Sequence, residues 1–150
     1  MTHTYYQLLY HFVWSTKERL PLILPSFKDQ FYAYIGGIFK MQKCHPLVIG
    51  GMPDHIHLLV EIPPNCTVAE LVCYVKVGAA KWLHETIKEA NTFQWQEGYG
   101  AFTVSSPRKS NVIKYIQNQE THHKKVSFED EFLWLLKEYG IGYDPQYLWK

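Results

Sequence analysis

Residues 52–64, MPDHIHLLVEIPP, constrain the fold more than any other stretch of this chain. Side chains of a strand alternate between faces, so Ile56, Leu58, Val60 and Ile62 make one unbroken apolar face. His55, His57, Leu59 and Glu61 make the other. A segment patterned this way must cover a core on one side. Its second side carries two imidazoles one residue apart, which packing alone does not call for. Pro63 and Pro64 end the strand, because proline cannot donate to a ladder.

The rest of the chain arranges itself around that strand. Residues 4–15, TYYQLLYHFVWS, are aromatic-rich and β-prone and predict a first strand. Ser26 is expected to cap a helix with apolar positions Phe27, Phe31, Tyr34, Ile38 and Met41, spaced 4-3-4-3. Residues 46–51 read as a short strand ending in a Gly-Gly turn. Thr67 and Glu70 have the spacing of a capping box for a helix carrying Val68, Val72, Val75, Ala79 and Trp82. GYGAFTVSS, residues 98–106, is a fourth strand. A helix then begins near Ser106-Pro107 or Ser110 and runs to about Thr121, and Ser127 caps a last one.

The order β-α-β-β-α-β is that of the α+β ferredoxin-like fold, an antiparallel sheet with strand order 4-1-3-2 and both crossover helices on one face. Here C-terminal helices are added, and residues 1–150 form a single domain. His55 and His57 are then expected at the sheet centre, on the open face, held by a rigid paired strand.

A chain of 150 residues with 47% hydrophobic side chains can bury a real core. No apolar run approaches the roughly 18 residues that span a bilayer. No basic-then-apolar leader opens the sequence. Cys44, Cys66 and Cys73 are odd in number and lack a CxxC pair, as expected of reduced thiols in a cytoplasmic protein. The net charge of +1 conceals an asymmetry. Arg108, Lys109, Lys114, Lys124 and Lys125 face Glu120 alone between residues 108 and 125, whereas acids outnumber lysines from Val126 onward. Such a strip can follow phosphates, or can simply be a solvated helix face.

Two histidines at i and i+2 on one strand can chelate a metal, although an HxH pair can equally be polar surface. A third ligand is available in SNVIKYIQNQETHHKK. Tyr115 and Gln119 are four residues apart on one helix face, and Val112, Ile113 and Ile116 can pack that helix down. Two imidazoles and an amide oxygen suit Mg²⁺ or Mn²⁺ with positions left for phosphate oxygens and water. Tyr115, one turn from such a ligand, is either a nucleophile or an ordinary part-buried aromatic among the chain's eleven tyrosines.

HIH resembles the His-hydrophobe-His motif of HUH endonucleases. Together with YIQNQ, the chain resembles the single-tyrosine transposases of the insertion-sequence-200/605 type. The likeness extends through HFVWSTKERLPLI, GGMPDHIHLLVEIPP, WQEGYGAFTVS, YIQNQETHHKKVSFEDEF and YGIGYDPQYLW. Family relatives tied to genomic palindromic repeats often carry an added C-terminal segment, which points this chain toward the compact insertion-sequence type.

The resemblance implies DNA mobilised as single strands bearing hairpins. It implies a metal on His55, His57 and Gln119, and Tyr115 as the nucleophile that leaves a 5′-phosphotyrosine and a free 3′-OH. It also implies homodimers in which the tyrosine helix of one subunit completes the metal site of the other. A short connection from an edge strand, which makes it awkward for that helix to reach the centre of its own sheet, argues the same way. Lys17, Arg19, Lys109, Lys114, Lys124 and Lys125 are candidate phosphate contacts. His11 either faces the site beside His57 or is a buried histidine. His122 and His123 are expected to face DNA or solvent rather than a metal, and Glu61 lies too far along the strand. The alternatives are a domesticated single-strand nuclease, a non-catalytic nucleic-acid-binding ferredoxin-like module, which would use exposed sheet aromatics, and a zinc hydrolase with no use for the tyrosine.

Overall fold

Four strands, β1 (Leu9–Ser15), β2 (His45–Met52), β3 (His55–Glu61) and β4 (Gly100–Thr103), pair antiparallel in the order β2-β3-β1-β4. This is the expected ferredoxin-like order, with β1 and β3 central. The structure is a computed structural model and describes residues 3–149. β1 is shorter than the sequence suggests. The Ile62 N–H donates to the Leu8 carbonyl at 2.9 Å, and beyond it Pro63 and Pro64 offer no N–H for residues 4–7 to pair with.

Helices α1 (Lys28–Met41) and α2 (Val68–Thr86) cover one sheet face. Ile56, Leu58, Val60 and Ile62 meet Phe12 and Trp14 of β1 there, beneath Phe31, Ile35 and Phe39 of α1 and Leu71, Val75 and Leu83 of α2. The buried stripe of α1 is rotated from the one expected. Ile35 and Phe39 take core places, Met41 is exposed, and Tyr34 stacks on Trp82 with ring centroids 4.9 Å apart. Ser26 does not cap α1. Its hydroxyl donates instead to Glu89 Oε1 at 2.8 Å. Thr67 precedes α2 without a side-chain cap bond, whereas Ser127 Oγ accepts from the Asp130 N–H at 3.1 Å and starts α5 (Phe128–Glu138).

The other sheet face is not open, contrary to the expectation from the fold alone. Asn118 divides the helix expected to run to Thr121 into α3 (Lys109–Gln117) and α4 (Gln119–His122). These two and α5 lie over the sheet within the same chain. Leu9, Leu59 and Val104 pack with Ile116 of α3, and Val13 and Phe102 pack with Phe128, Leu135 and Leu136 of α5. Two glycines permit this approach. A Cβ on Gly50 of β2 would stand 2.5 Å from the Ile116 carbonyl oxygen, and one on Gly100 of β4 would stand 2.9 Å from the Phe132 ring. The helix after β4 therefore does reach its own sheet centre, despite the short connection expected to make that awkward. No helix among the described residues is long and apolar enough to cross a membrane.

Candidate metal and tyrosine site

His55 and His57 rise side by side from β3 and are fully buried under the C-terminal helices. A partner on Nδ1 fixes each ring. His55 Nδ1 lies 2.7 Å from Asp54 Oδ1, and His57 Nδ1 lies 2.8 Å from His11 Nε2. Both Nε2 atoms are left facing the helices. Holding the outer nitrogen this way orients an imidazole and sets its tautomer for ligation.

The C-terminal segment brings the facing groups. Gln119 Oε1 is 3.0 Å from His55 Nε2. His123, just past α4, has Nδ1 2.6 Å from the Val126 carbonyl, which accepts its N–H, and presents Nε2 inward, 2.8 Å from Gln119 Oε1. Glu131, on the buried side of α5, sits at the centre. Its Oε1 is 2.8 Å from His57 Nε2, 3.2 Å from His123 Nε2 and 3.6 Å from His55 Nε2. Its Oε2 accepts from the Tyr115 hydroxyl and, at 3.1 Å, from Gln119 Nε2. His122 Nε2 lies 3.0 Å from the same oxygen without hydrogen-bond alignment. Phe128 stacks on His55 with centroids 4.3 Å apart and closes the site on that side.

His55, His57, His123 and Glu131 can hold a metal ion, since their ligand atoms all lie within 4.8 Å of one another. The fit is more than proximity. All three imidazoles turn Nε2 to one point while their other nitrogens are engaged. The spacings of 2.8–3.6 Å about Glu131 Oε1 are close to the roughly 3.4 Å edges expected around an ion bound at about 2.1 Å.

The electrostatics set an anionic Glu131 against a His123 whose protonated form is favoured, beside neutral His11 and His57. Burial, then the neighbouring His57, lowers His11 to about 3. Burial outweighs the help of Glu131 and lowers His57 to about 4, so both rings are neutral near pH 7. Burial alone would raise Glu131, but hydrogen bonds from His123 and His57 prevail and hold its carboxyl well below the usual range. Burial would lower His123, but Glu131 and the Val126 carbonyl reverse that and raise it. Burial, then the charge on Glu131, pushes the Tyr115 phenol well above its ordinary range. The tyrosine stays protonated until something offsets that charge.

His55, His57, Gln119 and Tyr115, the four residues singled out in the sequence, thus meet at one point. The basic candidates do not join them. Arg19 is engaged elsewhere, 2.9 Å from Glu129 Oε1 and 4.8 Å from the Trp149 ring centroid. Lys17, Lys114, Lys124 and Lys125 are exposed, Lys109 partly so. His11 is both buried and beside His57, so its two readings coincide. His123 corrects the expectation of a solvated or DNA-facing residue. Its side chain is 6% exposed and belongs to the metal-capable group. Glu131 went unnoticed. Its signal was present, a carboxylate three residues after Phe128 and four before Leu135, on the apolar face of α5.

The family described as "Transposase IS200 like" matches residues 4–119, so His122, His123 and Glu131 lie beyond the matched span. The ISDra2 transposase TnpA of Deinococcus radiodurans is 27% identical over 121 residues, covering 76% of this chain and 85% of that protein. The transposase for insertion sequence element IS200 of Salmonella typhimurium is 26% identical over 124 residues, covering 79% and 81%. Among solved structures, a candidate transposase from Deinococcus radiodurans R1 superposes with a TM-score of 0.64 at 23% identity, covering 79% of this chain and 95% of that one. A REP-associated tyrosine transposase bound to a REP hairpin superposes with a TM-score of 0.61 at 13% identity, covering 84% and 76%. With most of its length inside the family match and its sheet and helices shared with these structures, the chain belongs to the IS200-like transposase family.

Proposed function

We propose that this transposase cleaves and rejoins single-stranded DNA at hairpin-bearing ends through a 5′-phosphotyrosine on Tyr115. The observation that carries this reading is the Tyr115 hydroxyl, hydrogen-bonded to a carboxylate of the one His/Glu group among the described residues that can hold a metal. In the cleavage step the Tyr115 Oη–phosphorus bond forms and the bond from phosphorus to the 3′ oxygen breaks. Glu131 Oε2 holds the phenol in place by accepting its hydrogen bond, the phenol proton leaves to solvent as the bond to phosphorus forms, and the departing 3′ oxygen takes a proton from solvent. Rejoining reverses these transfers with a 3′-OH as nucleophile, so the energy of the phosphodiester is conserved.

His55 and His57, with Gln119, His123 and Glu131 around them, would hold the ion. When bound, a divalent cation supplies charge that neutralises the scissile phosphate and offsets Glu131. Mg²⁺ or Mn²⁺ suits phosphate chemistry, and an imidazole-rich set favours Mn²⁺ of the two. Exposed Lys17, Lys114, Lys124 and Lys125, with part-exposed Lys109, supply non-specific phosphate contacts.

We extend the proposal to a homodimer with His55 and His57 from one chain and Tyr115 and Gln119 from the other. The contacts that seat α3 and α4 are ones that an exchanged helix would make identically, because domain exchange preserves an interface. Incubation with labelled single-stranded hairpin DNA and Mn²⁺ should give a denaturation-resistant protein–DNA band, absent in Tyr115→Phe and absent in EDTA. A band that survives Tyr115→Phe would move the chemistry to another residue. Mixing His57→Ala with Tyr115→Phe should restore part of the activity. Verified heterodimers without recovery would leave the site within one chain.

A further inference from the structure

Tyr115 forms the boundary between the buried polar group and a cleft of about 490 Å³ that opens at the β4 edge between α3 and α5. His11 and Tyr115 line its inner end. Arg108 and Asn111 line the α3 side, and Trp134 and Tyr139 the α5 side. The volume suits a small organic group rather than a duplex. Trp134 is 52% exposed, and among the described residues no other ring stacks on it. An indole half in water at the mouth of a cleft offers a flat apolar face on which a planar group can stack. Tyr139 beside it is fixed, its ring 4.7 Å from Phe102 and its hydroxyl donating to the Thr103 carbonyl at 3.1 Å. Charge is divided across the mouth, with Arg108 on one rim and Glu138 on the other.

We infer that this cleft is a subsite for one unpaired nucleotide adjoining the scissile phosphate. The base stacks on Trp134 beside Tyr139, and its backbone phosphate is drawn to Arg108 and away from Glu138. Asn111, whose amide both donates and accepts, faces the base edge and gives a means of preferring one base. An aromatic platform with a cation beside it is how unpaired strands are held without a duplex to read. The position follows from Tyr115, since a nucleotide seated here leaves its neighbouring phosphate next to the phenol. The inference rests on the proposed single-strand chemistry and adds where the strand lies.

The test uses the full-length protein and two fluorescein-labelled probes, a 20-nucleotide oligothymidylate and a 20-unit abasic strand with the same phosphates. Trp134→Ala should weaken oligothymidylate binding by roughly 5- to 150-fold, the cost of one lost stacking contact, and leave the abasic strand unchanged. Trp134→Phe should recover much of the loss. Arg108→Ala should weaken both probes and reduce the salt slope by about one. Binding of oligothymidylate within twofold of wild type by folded Trp134→Ala and Trp134→Leu proteins would overturn the subsite while leaving single-strand binding intact. Failure of the wild-type protein to bind either probe would overturn the single-strand reading and the subsite together.

Discussion

Gly50→Ala isolates the contact that seats the tyrosine helix. Gly50 pairs with His57 across the β2–β3 ladder, directly beneath α3. A methyl group there would sit 2.5 Å from the Ile116 carbonyl oxygen and 3.0 Å from its Cγ2, about 0.9 Å short of ordinary contact. Ile116 is buried and cannot swing away, so either α3 lifts or the edge strand β2 bends. Overpacking of this kind costs about 1–3 kcal/mol, or roughly 2–12 °C in Tm for a chain of this size. Tyr115 precedes Ile116, so a lift of the backbone by that distance carries the phenol with it. A misplacement of about 1 Å costs on the order of 100-fold in rate. The expected outcome is a folded protein with slightly reduced Tm, near-normal DNA binding and a rate of covalent adduct formation down by about 100-fold. Gly37→Ala on α1 is the control. Its added methyl group meets nothing within 4 Å, and the change should stabilise by about 0.5–1 kcal/mol with adduct formation unaltered. Gly50→Ala protein that forms the adduct within threefold of wild type would refute the claim that close seating of α3 on β2 sets the position of Tyr115.

Three further outcomes follow from the site and its surroundings. Glu131→Gln keeps the side chain's shape and removes its charge, so Mn²⁺ affinity by calorimetry should fall by at least about 10- to 100-fold; unchanged affinity would return the ion to His55, His57 and Gln119 alone. In EDTA the buried neutral His57 and His11, lowered to about 4 and 3, bind fewer protons than the unfolded chain below pH 6.5. Their contribution is complete above about pH 6.5 and is lost as pH falls through 4 and then 3, so the urea midpoint should drop between pH 7 and 4, with His57 accounting for about 3 kcal/mol; a flat profile would contradict the burial of neutral rings. Burial, then the neighbouring Cys66 sulfur, pushes the Cys44 thiol up to about 12, whereas Cys73 is exposed on α2. Iodoacetamide at pH 8 should therefore label Cys73 first and Cys44 at least about 100-fold more slowly, as peptide mapping by mass would show.

Strand periodicity alone determined which face of β3 meets α1 and α2, because a slip of one residue would drive His55 and His57 into the apolar core. The element order likewise fixed the sheet, since few antiparallel arrangements suit β-α-β-β-α-β. Pairing Tyr115 with Gln119 needed only helical spacing, and Ser127 announced α5 by the chemistry of a cap. Local pattern could not supply anything that depends on how the C-terminal helices fold back. Gly50 read as part of a turn, and only the approach of Ile116 gives its missing side chain a purpose. His123 sat among lysines and looked solvated until α4 and α5 closed over β3. Glu131, 74 residues from His57 in sequence, became the central carboxylate through that same closure. Periodicity says which face of an element is buried; which groups share that burial is decided by long-range docking, and this docking sets the desolvation, the hydrogen bonds and the charge at Tyr115.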